Sequence, residues 1–244
     1  LPPLPKLILL PLIIIIGMLA SGLWGAAAGF LKAKYGTHEV VVTVMSNYIA
    51  INLTSYLVNY PFKAPGQVPQ TEALPAAATL MKLMPRTQLT TAFLLALVMA
   101  FLVYWFLWKT VPGYEIRAVG ENPRAAQAGG IPIVRNMVLA MGLSGALAAL
   151  AGMTQVLGVN GRFIDGFSPG YGFTGIAVAV LGRNHPFGIL LTALLFGALD
   201  AGALQLNRAT SISADWVMVI QGLVILFVAA PAIFKFIEKR RVSA

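Results

Sequence analysis

The chain has 244 residues, 58% of them hydrophobic and only 10% charged, with a formal net charge of +9. Soluble domains carry about 25% charged residues, so this composition excludes an ordinary water-soluble globule. The basic residues are scattered among loops and the C-terminal "KFIEKRR", which is a membrane-topology pattern and excludes a nucleic-acid partner.

No formal charge lies between Lys6 and Lys32, or between Arg86 and Lys109. Roughly 20 apolar residues cross a bilayer core as a helix. The pattern predicts an all-α, polytopic helical bundle forming one transmembrane domain over residues 1–244. Seven segments are expected, at about 7–31, 40–58, 88–108, 136–158, 170–182, 187–206 and 215–236. The chain opens on "LPPLPK" without Met or a recognisable signal peptide, and is expected to be N-terminally incomplete, lacking earlier spans. Pro11 and Pro231 predict kinks.

The second segment, "VVVTVMSNYIAINLTSYLVNY", is the most polar. At about 100° per residue, Thr43, Asn47 and Thr54 share one stripe, with Asn52, Ser55 and Asn59 near the opposite side. Unpaired amides in hydrocarbon are costly, so this helix is expected in the centre. One of its polar faces would line a pathway and the other would bond to neighbours. A loop over 59–87, rich in Pro and Ala, follows as ordered or semi-extended surface structure.

A polar segment, "GYEIRAVGENPRAAQAGGIPIVRN", interrupts the hydrocarbon at 113–136. Asn122 suits an N-cap and Pro123 the first helical turn. "RAAQA" favours helix and Gly129-Gly130 stops it. A helix of about two turns is expected here, with Ala125, Ala126 and Ala128 on its exposed side, edged by Glu121, Arg124 and Gln127. Such a knob suits a partner's groove; the alternative is a solvated interfacial loop.

The fourth segment carries Ala140, Ser144, Ala148 and Gly152 at spacing four, with Gly145 and Ala149 alongside. Small residues at that spacing let helix backbones approach, so Ser144, Ala148 and Gly152 are assigned to helix packing. The fifth, "GYGFTGIAVAVLG", is short for a span; a re-entrant half-helix is the alternative to the crossing kept here. The sixth contains Asp200, with Arg208 two turns on. An intramembrane carboxylate is a functional hypothesis, and a boundary hydrogen-bonding group is the other reading.

Orientation follows from the cations. With the C-terminus inside, the inner loops hold Lys32, Lys34, Lys109, Arg117, Arg124, Arg135, Arg183, Lys235, Lys239, Arg240 and Arg241. The outer side holds Lys6, Lys63, Lys82, Arg86, Arg162 and Arg208, as the positive-inside rule requires.

Resident chemistry is not expected. There is no cysteine, which excludes disulfides and thiolate metal sites. No GxxxxGK[ST] loop is present, and Gly170-Tyr171-Gly172 lacks the context of a dinucleotide loop. His38 and His185 have no ligand-spaced partners. "GLSG" at 142–145 matches an intramembrane serine protease string, but Ser144 needs a base and only His185 is imaginable.

"GYEIRAVGENPRAAQAGGIPIVR", "LSGALAALAG", "GRFIDGFSPGYGFTGIAVAVLGRNHPFG" and "VIQGLVILFVAAP" resemble the permease subunits of bacterial ABC importers. The family is the branched-chain amino acid/ribose-type permeases, and the resemblance is nearest its nucleoside and simple-sugar members. It covers most of the chain. It implies no enzyme activity and no cofactor in this chain, with ATP and Mg bound by partner ATPase subunits. Two permease subunits, alike or different, an extracytoplasmic substrate-binding protein and a multi-pass place in the bacterial cell membrane are also implied.

By the same resemblance, 109–135 is a cytoplasmic segment coupling to the ATPase. Its expected contact residues are Arg117, Glu121, Asn122, Pro123, Arg124, Ala125, Ala126, Gln127 and Gly129. Asn47, Thr54, Gln155, Asn160 and Asp165 are translocation-path candidates on helical-face arguments alone. The alternative reading is a secondary transporter driven by an ion gradient, for which Asp200 is the available carboxylate.

Overall fold

A computed structural model describes residues 5–84, 87–168 and 170–210, together with 216, 219–220 and 222–223. Its helices are α1 (Lys6–Tyr35), α2 (Glu39–Asn59), α3 (Ala92–Lys109), α4 (Val111–Glu121), α5 (Pro123–Ala128), α6 (Ile133–Met153), α7 (Tyr171–Leu181) and α8 (Pro186–Ala209). Among the described residues there is no strand, only the isolated bridges Gln70–Ile164 and Lys82–Thr90. Among the described residues, five helical stretches are long and apolar enough to cross a membrane: Lys6–Tyr35, Val40–Asn59, Ala92–Lys109, Ile133–Asn160 and Pro186–Ala209. The seventh expected segment, 215–236, lies almost wholly outside the described residues. Two compact units divide the chain, Leu1–Pro169 and Gly170–Ala244.

In the first unit α1 and α6 form the principal pair. Their seam is read from the glycines. Gly22 faces Gly142 and Ala146, Gly25 faces Met141 and Gly145, and Gly29 faces Met141 and Val138. Partners fall in number as α1 rises, so the helices run antiparallel. An ideal Cβ at Gly25 would lie 2.6 Å from the Met141 carbonyl oxygen. Lipid offers no hydrophobic drive between helices, and close backbone packing takes its place. Large side chains accordingly point outward, Leu23 at 72% exposure and Leu19 at 61%. Gly36, at φ 65°, ends α1 in the left-handed conformation, its N–H donating to the Lys32 carbonyl.

Helix α6 runs on into a π-helical turn, Thr154–Asn160. The loop between α2 and α3 is tied to this turn and the strip after it. Leu80 N–H donates to Leu157 O (2.9 Å), Leu74 N–H to Gly161 O (2.9 Å) and Thr71 N–H to Phe163 O (2.9 Å). Gly158 packs closely there, where a Cβ would stand 3.1 Å from Thr90 Oγ1. The expected ordered loop is thus a cap over one end of the unit.

The second unit holds a tight helical hairpin. Arg183 (φ 55°) and Asn184 (φ 53°) turn the chain between α7 and α8. Gly182 and Gly188 pack without room for a Cβ, which at Gly182 would meet Ile189 N at 2.6 Å. Thr192 Oγ1 donates to the Val178 carbonyl at 2.9 Å, over a core of Ala177, Val178 and Phe196. With 11 residues, α7 is about 16 Å long, against a hydrocarbon core of about 30 Å. The crossing expected of 170–182 gains no support from this length: α7 is shorter than the helices long and apolar enough to cross a membrane among the described residues.

Candidate functional site

The antiparallel pairing puts the C-terminal end of α1 and the N-terminal end of α6 together, and α3 runs toward the same end through Lys109. There the segment 110–132 forms an elbow of two short helices. Thr110 starts α4: its Oγ1 donates to Phe106 O (2.6 Å) and accepts from Gly113 N–H (3.2 Å), with Pro112 in the first turn. Gly113 lets α4 fold against the end of α3, where a Cβ would meet Leu107 Cα at 2.6 Å. Arg117 holds that fold. Its Nε donates to Leu107 O at 2.9 Å, and the guanidinium stands 5.3 Å from the Trp108 ring centroid.

Asn122 serves both helices. Its N–H closes α4 on Ala118 O, while its Oδ1 accepts from Arg124 N–H and Ala125 N–H, each at 3.1 Å. Pro123 is the first residue of α5, a six-residue helix too short to persist alone. Gly129 N–H returns to Ala125 O, and Ile131 N–H to Ala126 O. Gly130, at φ 80°, turns the chain toward α6. Glu121, Arg124, Ala125, Gln127 and Ala128 are exposed. Ala126 is not: at 5% exposure it is buried with Val119. The expected exposed face is corrected at that residue, because a helix this short is held in place by the side it buries.

A polar contact that sequence reasoning missed lies behind the elbow. In the first turn of α6, Asn136 Nδ2 donates to Glu115 Oε2 of α4 (3.1 Å) and to Pro132 O (3.0 Å). Asn136 is 1% exposed. An amide so early in an apolar segment was the available signal; its partner, 21 residues back, was not legible.

The opposite end carries the other candidates. Asp165, after the π-helical turn, accepts through Oδ2 from Ser55 Oγ (2.8 Å) and Asn59 Nδ2 (3.2 Å). Thus Asp165 meets the Ser55/Asn59 side of α2. Thr54 returns its hydroxyl to Ala50 O (2.8 Å), and Asn52 its amide to Tyr48 O (2.8 Å). Asn47 is exposed. Gln155 and Asn160 lie on the π-helical turn, both half-buried. The structure therefore brings Asp165 to α2, but leaves Asn47 apart from it.

On α6, Ser144 and Ala148 are exposed. A Cβ at Gly152 would stand 4.0 Å from the Phe167 ring. Ser144 borders an apolar cavity of about 360 Å³ formed with Met18, Leu102, Phe106 and Ile116. In the second unit Asp200 is exposed on α8, and His185 precedes α8 with its ring 5.7 Å from that of Phe187. Among the described residues no three His, Asp or Glu side chains gather to hold a metal ion.

A family model described as "Branched-chain amino acid transport system / permease component" matches residues 3–229. The guanosine ABC transporter permease protein of Bacillus subtilis (strain 168) is 35% identical over 238 residues, covering 96% of this chain and 68% of that protein. A nucleoside ABC transporter permease protein of Lactococcus lactis subsp. cremoris (strain MG1363) is 34% identical over 244 residues, with 96% and 67% covered. A glucose ABC transporter permease protein of Haloferax volcanii is 34% identical over 243 residues, with 95% and 64% covered. The chain therefore spans about two thirds of the length of these relatives. No solved structure matches it.

Proposed function

This chain belongs to the branched-chain amino acid transport system permease family, and from that premise we propose that it is a translocation subunit of an ATP-driven importer for a nucleoside or simple sugar. Subunits of this kind are membrane proteins and not themselves enzymes. In this reading ATP and Mg are bound by separate ATPase subunits, and one of them seats the α4–α5 elbow. A second permease subunit completes the path, and an extracytoplasmic binding protein delivers solute, in a bacterial cell membrane. The nucleoside and sugar choice rests on the relatives' names; the ion-gradient alternative gains no support from the family.

The observation that carries the reading is the elbow. It gathers Glu115, Arg117, Glu121 and Arg124 between two apolar helices, it is capped by its own Asn122, and it presents Glu121, Arg124, Ala125 and Gln127 outward. A segment built this way, backed on α3 and α6, has the form of a surface that receives force. Charge supports a cytoplasmic elbow. Lys32, Lys34, Lys109, Arg117, Arg124 and Arg135 lie toward its end of the first unit, against Lys6, Lys63, Lys82 and Arg162 toward the other. Arg117, engaged with Leu107 and Trp108, sets the angle of α4 in this scheme, while Glu121 and Arg124 meet the partner.

The test is uptake by the assembled transporter in liposomes. Glu121→Arg, or deletion of 125–128, is expected to abolish nucleoside uptake while the subunit still inserts and the ATPase still hydrolyses ATP. Wild-type uptake in both variants would refute the docking role.

A further inference from the structure

Asn136 is the least exposed side chain among the described residues, and a leucine would fill such a place at less cost. Its Nδ2 is satisfied twice, by Glu115 Oε2 and Pro132 O, but its Oδ1 is buried without a donor. Unsatisfied buried acceptors are rare and costly, so the two bonds made by Nδ2 are what hold the amide in this place. What it does is join α4 to α6 through a side-chain hydrogen bond. Glu115 sits on α4, about two turns before Asn122, the residue that caps α5. Asn136 sits on α6, whose glycines lock it to α1 along backbone-close contacts.

The geometry points to Asn136 as the positioning residue through which the α4–α5 elbow drives α6. A push on α5 rotates α4, because Asn122 belongs to both helices. The rotation displaces the Glu115 carboxylate, and Asn136 must follow or lose its partner. Because α6 is packed rigidly on α1, a displaced Asn136 shifts the pair together. This rests on the coupling role proposed above for the elbow.

The experiment uses the full-length subunit in the assembled transporter in liposomes, with radiolabelled guanosine as probe and uptake per ATP hydrolysed as readout. Asn136→Leu and Glu115→Leu are each expected to lower that ratio about tenfold, with ATP hydrolysis continuing. The double variant should fall no further than either single one. Glu115→Gln, which keeps an acceptor oxygen, should hold the ratio within about twofold of wild type. A merely structural role would lower the amount of assembled protein and leave the ratio unchanged, and an unchanged ratio in Glu115→Leu overturns the inference. Glu115 is only half-buried, so that variant decides the matter even if Asn136→Leu fails to assemble. A wild-type complex that imports guanosine without ATP removes the importer reading itself, and this link with it.

Discussion

The seam between α1 and α6 allows a prediction worked from distances. Replace Gly25 by alanine. The new Cβ would stand 2.6 Å from the Met141 carbonyl oxygen and 3.3 Å from Gly145 Cα, where ordinary contact begins at 3.4 Å. Both obstacles are backbone, so no rotamer change relieves them and the two helices must part by most of an ångström. Overpacking of this kind costs about 1–3 kcal/mol, partly offset by about 1 kcal/mol of alanine's higher helix propensity. A net loss of up to about 2 kcal/mol follows. Gly145→Ala should cost at least as much, since its Cβ would collide with the Ser21 carbonyl oxygen. Gly17→Ala should cost less, because the facing atom is the flexible Met153 Sδ at 2.8 Å. Gly197→Ala on α8, with no facing atom of the described residues within 4 Å, is the control and should be neutral or slightly stabilising. The assay is thermal unfolding of the purified subunit in detergent. If Gly25→Ala melts with wild type and Gly197→Ala, the seam is not a close-packed one and the reasoning fails.

Two further outcomes are expected. Asn122→Ala removes the acceptor for two N–H groups and should cost about 1 kcal/mol of local stability, seen as faster hydrogen exchange at Arg124 and Ala125, with Asn122→Ser restoring most of the protection. Asn47→Leu should reduce uptake more than Asn52→Leu, because Asn52 already returns its amide to Tyr48 O; equal effects in a transport assay would place the path on another face of α2.

Helix α5 was legible because its instructions are local: an N-cap, a proline, five helix formers and two glycines in nine residues. Helix α4 was not, because Gly113 and Gly120 make its sequence a poor helix former. What stabilises it is tertiary, the backing of α3 on Gly113 and the Arg117 bond to Leu107 O. The burial of Ala126 was hidden for a related reason. Three alanines in six residues carry no phase, and only the neighbour decides which one turns in.

The same limit applies on α6, where glycine and alanine saturate the helix and several rows qualify for packing. The row that faces α1 includes Gly142 and Gly145, and the deciding pattern lay in the partner, at Gly22, Gly25 and Gly29 of α1. The polar sides of α2 were legible as two faces but not as two roles. The bond from Ser55 to Asp165 spans 110 positions, a separation at which no helical period carries information.

These placements share a mechanical logic. The middle of α6 is held to α1 by backbone contacts that tolerate no added atom, so the pair is stiff where it is apolar. Its ends are different. At the elbow end a single buried amide joins it to α4. At the other, the α-helical ladder gives way to the π-helical turn Thr154–Asn160, a rare geometry that is frequent at functional sites, and the chain then fastens to α2 through Asp165. A rod that is stiff along its length and yields only at its ends delivers displacement from one end to the other. A rod that yielded in the middle would absorb it. The glycine seam is therefore the part of the chain on which the importer reading depends most. If Gly145→Ala loosened the seam without lowering guanosine uptake per ATP hydrolysed, force would have to reach the outer end by some route other than α6.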